Sequence, residues 1–185
     1  YDIAIDANNN IYVTGSSDLD STAADNLDYV TLKYNSAGAK QWGKNYNGTA
    51  NGDDVANAIS FDASGNIYVT GQANEGTASS KNNNATTVVY STNGDELDTI
   101  SFDGVLNATD AGAAVLVDGG SVYVAGYGSY TQNNQKDFLT IKYNLTTSIN
   151  EIDNNNSLIV FPNPCSSNSF LFIRNSHEGV LKIHN

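Results

Sequence analysis

The side chains with the most suggestive spacing carry oxygen. Asp6, Asn8 and Asn10, and again Asp62, Ser64 and Asn66, stand at i, i+2 and i+4, as the first ligands of a calcium loop do. Neither set continues with Gly at the sixth position or Glu at the twelfth. A tight Asx-type turn uses the same residues without a metal, because Asp and Asn side chains bond their own backbone two residues on. Calcium is the weaker of these two readings, and no other cofactor is expected. Catalytic sets are harder still to assemble. His177 and His184 both lie in the last residues, so no Ser-His-Asp or Cys-His group forms in the first 144. Cys165 has no basic neighbour in sequence closer than Arg174 and reads as a bystander thiol. Paired carboxylates can hydrolyse glycosides, and the acidic clusters here are Asp18, Asp20, Asp25 and Asp28, and Asp53 and Asp54. Nothing selects a pair, and both clusters read as solvated loops. Gly126-Tyr127-Gly128 lacks the Lys of a phosphate loop and reads as a strand end. No catalytic role is expected of this stretch.

The bulk properties narrow the partners. The chain has 185 residues, with 20 acidic and 8 basic side chains and a net charge of −12. Nucleic acid is excluded on that charge, since phosphate binding rests on clustered Lys and Arg; an anionic membrane surface is disfavoured on the same ground. No apolar run approaches the roughly 20 residues that span a bilayer, and the longest, Leu158 to Phe161, is strand-sized. One cysteine forms no intramolecular disulfide. With no Met and Tyr at position 1, the chain is expected to be a processed product or fragment.

These residues must be positioned by something, and the elements are strands. Asn is the commonest residue, helix-period patterns are absent, and turn formers are abundant. Self-comparison then aligns Ile11-Tyr12-Val13-Thr14-Gly15, Ile67-Tyr68-Val69-Thr70-Gly71 and Val122-Tyr123-Val124-Ala125-Gly126, at offsets of 56 and 55 residues. A strand and turn precede each: Ile3 to Asn10, Ile59 to Asn66, Val115 to Ser121. A third strand follows at Val30 to Tyr34, Thr86 to Tyr90 and Leu139 to Tyr143, and a fourth at Gln41 to Tyr46 and Leu97 to Phe102. Four short strands in about 55 residues is the size of a propeller blade. Period-two alternation places Ile3/Ile5 and Ile11/Val13 on one face and Tyr12, Tyr68 and Tyr123 on the other, so both faces need covers. The segments Ser16 to Tyr29, Gln72 to Ala85 and Tyr127 to Phe138 read as long variable loops suited to recognition, with Tyr127 and Tyr130 as exposed rings for stacking on sugar.

The expected fold class is all-β: a partial β-propeller of about two and a half four-stranded blades at about 1–50, 51–107 and 108–144. Because closed rings need about 4–8 blades, the array is expected to continue upstream. The last unit is expected to stop at three strands, to be completed by a strand from the other end of the chain. The run Asp62-Ala63-Ser64-Gly65-Asn66-Ile67-Tyr68-Val69-Thr70-Gly71 resembles the bacterial beta-propeller repeat family SBBP. Tyr29 to Gly48 is similar to that family's third and fourth strands, with Gly38 at the hairpin and Trp42 packing. The resemblance covers about residues 1–144 and implies a scaffold without fixed chemistry. The second copy lacks the Lys before Tyr90, and the third has Gly119-Gly120-Ser121 in place of the Gly-Asn turn.

Beyond about Leu145 the rhythm breaks, and 145–157 reads as a linker. Residues 158–185 open with Leu158-Ile159-Val160-Phe161-Pro162-Asn163-Pro164 and continue with Phe170 to Ile173 and Val180 to Ile183. This resembles the start of the C-terminal sorting domain of the type IX secretion system of Bacteroidetes, a small β-sandwich-like domain present here only in part, with Phe161, Pro162, Asn163 and Pro164 as its motif. The resemblance implies the type IX secretion machinery as a partner and a secreted or outer-membrane cell-surface location. The expected function is a non-catalytic binding or adhesion scaffold for a glycan or surface protein. The alternative is an accessory propeller of an exported hydrolase whose catalytic domain lies upstream.

Overall fold

The computed structural model describes residues 1–18, 26–76, 82–104, 109–129, 136–144, 157–161, 170–174 and 180–182. Among them there is no helix. The first sheet holds β1 (Asp2–Ile5), β2 (Ile11–Asp18), β3 (Leu27–Tyr34) and β4 (Lys40–Tyr46), antiparallel and in chain order. The second repeats it with β5 (Val55–Phe61), β6 (Ile67–Asn74), β7 (Asn83–Tyr90) and β8 (Glu96–Phe102). The third begins with β9 (Ala111–Asp118), β10 (Ser121–Ser129) and β11 (Lys136–Asn144). Three antiparallel sheets of this kind are consistent with a partial propeller.

Two expectations are revised. The third sheet does not stop at β11. It continues through β12 (Ser157–Phe161), β13 (Phe170–Arg174) and β14 (Val180–Lys182), with Ile141 opposite Ile159. An open edge at β11 would expose a row of unpaired backbone groups, and the apolar segment that follows in the same chain satisfies them. The long variable segments are also shorter than expected, because their flanking strands extend. The ladder pairs Asp18 with Leu27 and Asn74 with Asn83. Within the strands, polar pairs bridge neighbours on the back faces: Thr14 and Thr31 hydroxyls lie 3.3 Å apart, and Thr87 donates to Thr70 at 2.9 Å.

Period-two alternation gives each sheet two apolar faces, and both are used. The first core joins Tyr12 and Tyr29, from the back of the first sheet, to Ile59, Ile67, Val69 and Val88 on the front of the second. The second core joins Tyr68, Ala85 and Val89, from the back of the second sheet, to Val122, Val124, Leu139 and Ile141 on the front of the third. Aromatic edges fill the first junction: Tyr12 meets Phe61 at 4.9 Å and Trp42 at 5.9 Å, each edge-on. Trp42 packs at this junction as its resemblance implies, and its Nε1 donates across it to the Thr92 carbonyl at 3.2 Å.

Candidate functional site

Alternating strand direction sorts the connections to two ends of each sheet. The turns after β1 and β3 lie at one end; the β2–β3 connection and the crossing from β4 to β5 lie at the other. At the turn end, Asp6 Oδ1 accepts the N–H groups of Asn8 and Asn10 at 2.8 and 2.9 Å. Its Oδ2 accepts Asn10 Nδ2 at 2.8 Å and the Tyr12 hydroxyl at 3.2 Å. Asp62 repeats every one of these bonds with Ser64, Asn66 and Tyr68. Partial burial pushes the Asp6 carboxyl up, but donors from Asn10, Asn8 and Tyr12 outweigh it and hold it below the usual range. The Tyr12 hydroxyl is pushed up to about 12 by burial and then by the Asp6 charge. Both carboxylates are thus hairpin braces whose oxygens face hydrogen-bond donors, and a cation there would have to displace those donors. Gly38 closes the β3–β4 turn with φ of 79°, a backbone angle that favours glycine.

At the other end a second carboxylate recurs. Asp54 is fully buried; its Oδ2 accepts the Gly48 N–H and its Oδ1 the Asn74 N–H, both at 2.6 Å. Its own N–H donates to the Leu27 carbonyl. One side chain thereby ties the segment leaving β4 to the end of β6, and its backbone reaches β3. Asp110 does the same a repeat later, accepting from Gly104 at 2.6 Å and Ser129 at 3.1 Å while its N–H reaches Asn83. Burial lifts both carboxyls to about 6, against the opposing pull of the two N–H donors. The expectation that these aspartates sit in solvated loops is corrected for Asp54 and for Asp28, which is also buried. For Asp54 the physical reason is that two backbone N–H groups, of Gly48 and Asn74, converge where no strand ladder satisfies them. Asp18 and Asp53 are exposed as expected. The signal was in the sequence: Gly48 to Asp54 and Gly104 to Asp110 share a six-residue spacing, visible only if the self-comparison extends past the strands.

Around these clasps the rim is rich in acceptors. Glu75 takes the Tyr46 hydroxyl at 2.5 Å and the Thr49 hydroxyl at 3.0 Å. The amide oxygens of Asn26, Asn74, Asn82, Asn83 and Asn84 are buried with no hydrogen-bond partner among the described residues. Such oxygens are costly to leave unmet. No group of three or more His, Cys, Asp or Glu gathers for a metal among the described residues. Tyr127 is not the exposed ring expected: Lys136 Nζ lies 3.8 Å from its centroid and its hydroxyl reaches Gln72 at 3.4 Å. Asp20, Asp25, Tyr130, Cys165, His177 and His184, and Pro162, Asn163 and Pro164 of the sorting motif, lie outside the described residues. Phe161 ends β12.

No helix among the described residues is long and apolar enough to cross a membrane. No curated protein matches the chain. Residues 41–76, which run from β4 through the Asp54 clasp and the Asp62 hairpin to the end of β6, match the family model SBBP, a beta-propeller repeat.

Proposed function

We propose that the chain is a non-catalytic binding scaffold of a secreted or cell-surface protein, whose acceptor-rich rim engages a hydroxyl- or amine-bearing partner such as a glycan or a surface protein. The observation that carries this reading is the gathering of Glu75 with Asn26, Asn74, Asn82, Asn83 and Asn84 beside the β2–β3 and β6–β7 connections, the five amide oxygens having no hydrogen-bond partner among the described residues. A binding role fits the propeller-repeat match, and fold by itself dictates no chemistry. In this reading residues 145–157 are a linker, and residues 158–185 form part of a type IX sorting signal through Phe161, Pro162, Asn163 and Pro164, with the type IX machinery as its partner. An array of glycans and bacterial surface proteins probed with the chain tests the first part. Binding that is lost in Asn26→Ala/Asn84→Ala, with the far-ultraviolet spectrum unchanged, supports it; an empty array overturns it. Export is tested by fusing a reporter to the full-length protein with and without Pro162→Ala/Pro164→Ala.

The second reading makes this chain an accessory propeller beside a hydrolase domain upstream. It rests on the chemistry missing from residues 1–144, where no histidine occurs. Hydrolysis of a bound glycan by the full-length protein, and not by the 185-residue chain, would select it.

A further inference from the structure

Asparagine followed by glycine is the arrangement in which a backbone nitrogen most easily reaches a side-chain amide, because glycine carries no Cβ to hinder the approach. The chain has three such pairs, Asn47-Gly48, Asn51-Gly52 and Asn93-Gly94. All three asparagines are exposed, so access to water does not separate them. The state of the glycine N–H does. Gly48 is buried, and its N–H is held by the Asp54 carboxylate at 2.6 Å. Gly94 is buried, and its N–H is held by the Ser91 carbonyl at 2.9 Å in the β7–β8 turn. Gly52 is only partly buried, and its N–H donates to no acceptor among the described residues. Of the three glycine nitrogens, this one is free to attack.

Two further features favour attack at Asn51. Its side-chain oxygen accepts Asn47 Nδ2 at 2.6 Å. A donor on that oxygen stabilises the oxyanion that forms when a nucleophile adds to the amide carbon. Its backbone has φ of 52°, in the left-handed region that a non-glycine residue occupies at a cost. Neighbouring bonds hold it there: the Ala50 N–H donates to the Asn74 carbonyl at 3.1 Å and the Asn51 N–H to the Gly48 carbonyl at 3.0 Å.

We infer that Asn51 is a site of spontaneous deamidation in the folded chain. The Gly52 nitrogen adds to Asn51 Cγ and gives up its proton. The Cγ–Nδ2 bond then breaks, and Nδ2 leaves as ammonia with that proton. The product is a cyclic imide, which water opens at either carbonyl to give aspartate or isoaspartate. Water is the sole co-reactant. Either product adds a carboxylate on the segment between β4 and β5 that carries Asp53 and the Asp54 clasp. In isoaspartate the main chain also passes through the former side chain, which lengthens by one atom the path from Gly48 to Asp54. The crossing between the first and second sheets thus records the age of the molecule.

Timed incubation of the 185-residue chain in mildly alkaline buffer tests this, with conversion at each asparagine read by mass spectrometry of its fragments. Asn51 should convert roughly tenfold faster than Asn47 and Asn93, the factor set by the one hydrogen bond that must open first at the other two. In denaturant, where no N–H is held, the three rates should draw level. Asn51→Gln, at an exposed position and with a side chain one methylene longer, should abolish the fast phase of ammonia release and leave the slow ones. Conversion of Asn47 or Asn93 in the folded chain as fast as that of Asn51 overturns the inference. So does a lead for Asn51 that persists undiminished in denaturant, or a fast phase that survives Asn51→Gln.

Discussion

At the scale of single residues the decisive groups are carboxylates that serve the backbone. Asp54→Ala would leave the Gly48 and Asn74 N–H groups buried without an acceptor. At roughly 1–3 kcal/mol for each unmet group, the variant should lose about 2–6 kcal/mol in denaturant unfolding. Asp62→Ala removes four bonds at a partly exposed turn and should lose about 1–2 kcal/mol, because water replaces much of what is removed. A smaller loss for Asp54 than for Asp62 would contradict the buried clasp. The hairpin role of Asp6 and Asp62 was legible from the i, i+2, i+4 spacing, since an Asx turn is local. The role of Asp54 was not, because its acceptors are filled by N–H groups 6 and 20 residues away, and adjacent acidic side chains read by default as a solvated surface.

Strands were the most legible elements, since alternation and repeat offset both report them. Their ends were not. Between Tyr29 and Leu27, or Ala85 and Asn83, the pattern turns polar, and only the continuing ladder keeps the chain extended. The glycine that ends the repeated motif in the second and third copies has a cause visible only in three dimensions. A Cβ at Gly71 would run into the Val55 carbonyl oxygen, and one at Gly126 into that of Ala111, where the partner strand slips by one residue. The obstacle is backbone, so it cannot rotate away. Gly71→Ala should destabilise by about 1–3 kcal/mol. Gly38→Ala meets nothing within 4 Å and should lose only the roughly 1 kcal/mol of a left-handed residue. Chemical denaturation of the two variants side by side checks the order.

On the scale of the whole molecule, titration links burial to stability. Asp54 and Asp110 titrate at about 6 in the fold, against about 3.9 when exposed. The folded state therefore binds more protons between those values. The stability that this contributes is complete below the lower value and is lost as pH rises through about 6. The unfolding midpoint should rise on acidification from about pH 7 to about pH 5, and rise less in Asp54→Asn/Asp110→Asn. Burial also raises the hydroxyls of Tyr12, Tyr29, Tyr46, Tyr68 and Tyr90. Phenolate absorbance from these rings should appear late and together with alkaline unfolding. The stacking of sheets was legible from the two apolar faces; the destination of β12 was not, because the same apolar run suits any open strand edge.

Each aspartate clasp bolts the exit of one sheet to a strand of the next, so a pull on the two termini loads the bolts in series. Stretched between a tip and a surface, the chain should yield in separate jerks. Each would release one repeat of about 55 residues, or about 18–20 nm of slack at 3.3–3.6 Å per residue, and removal of a single clasp should soften one jerk and leave the others intact.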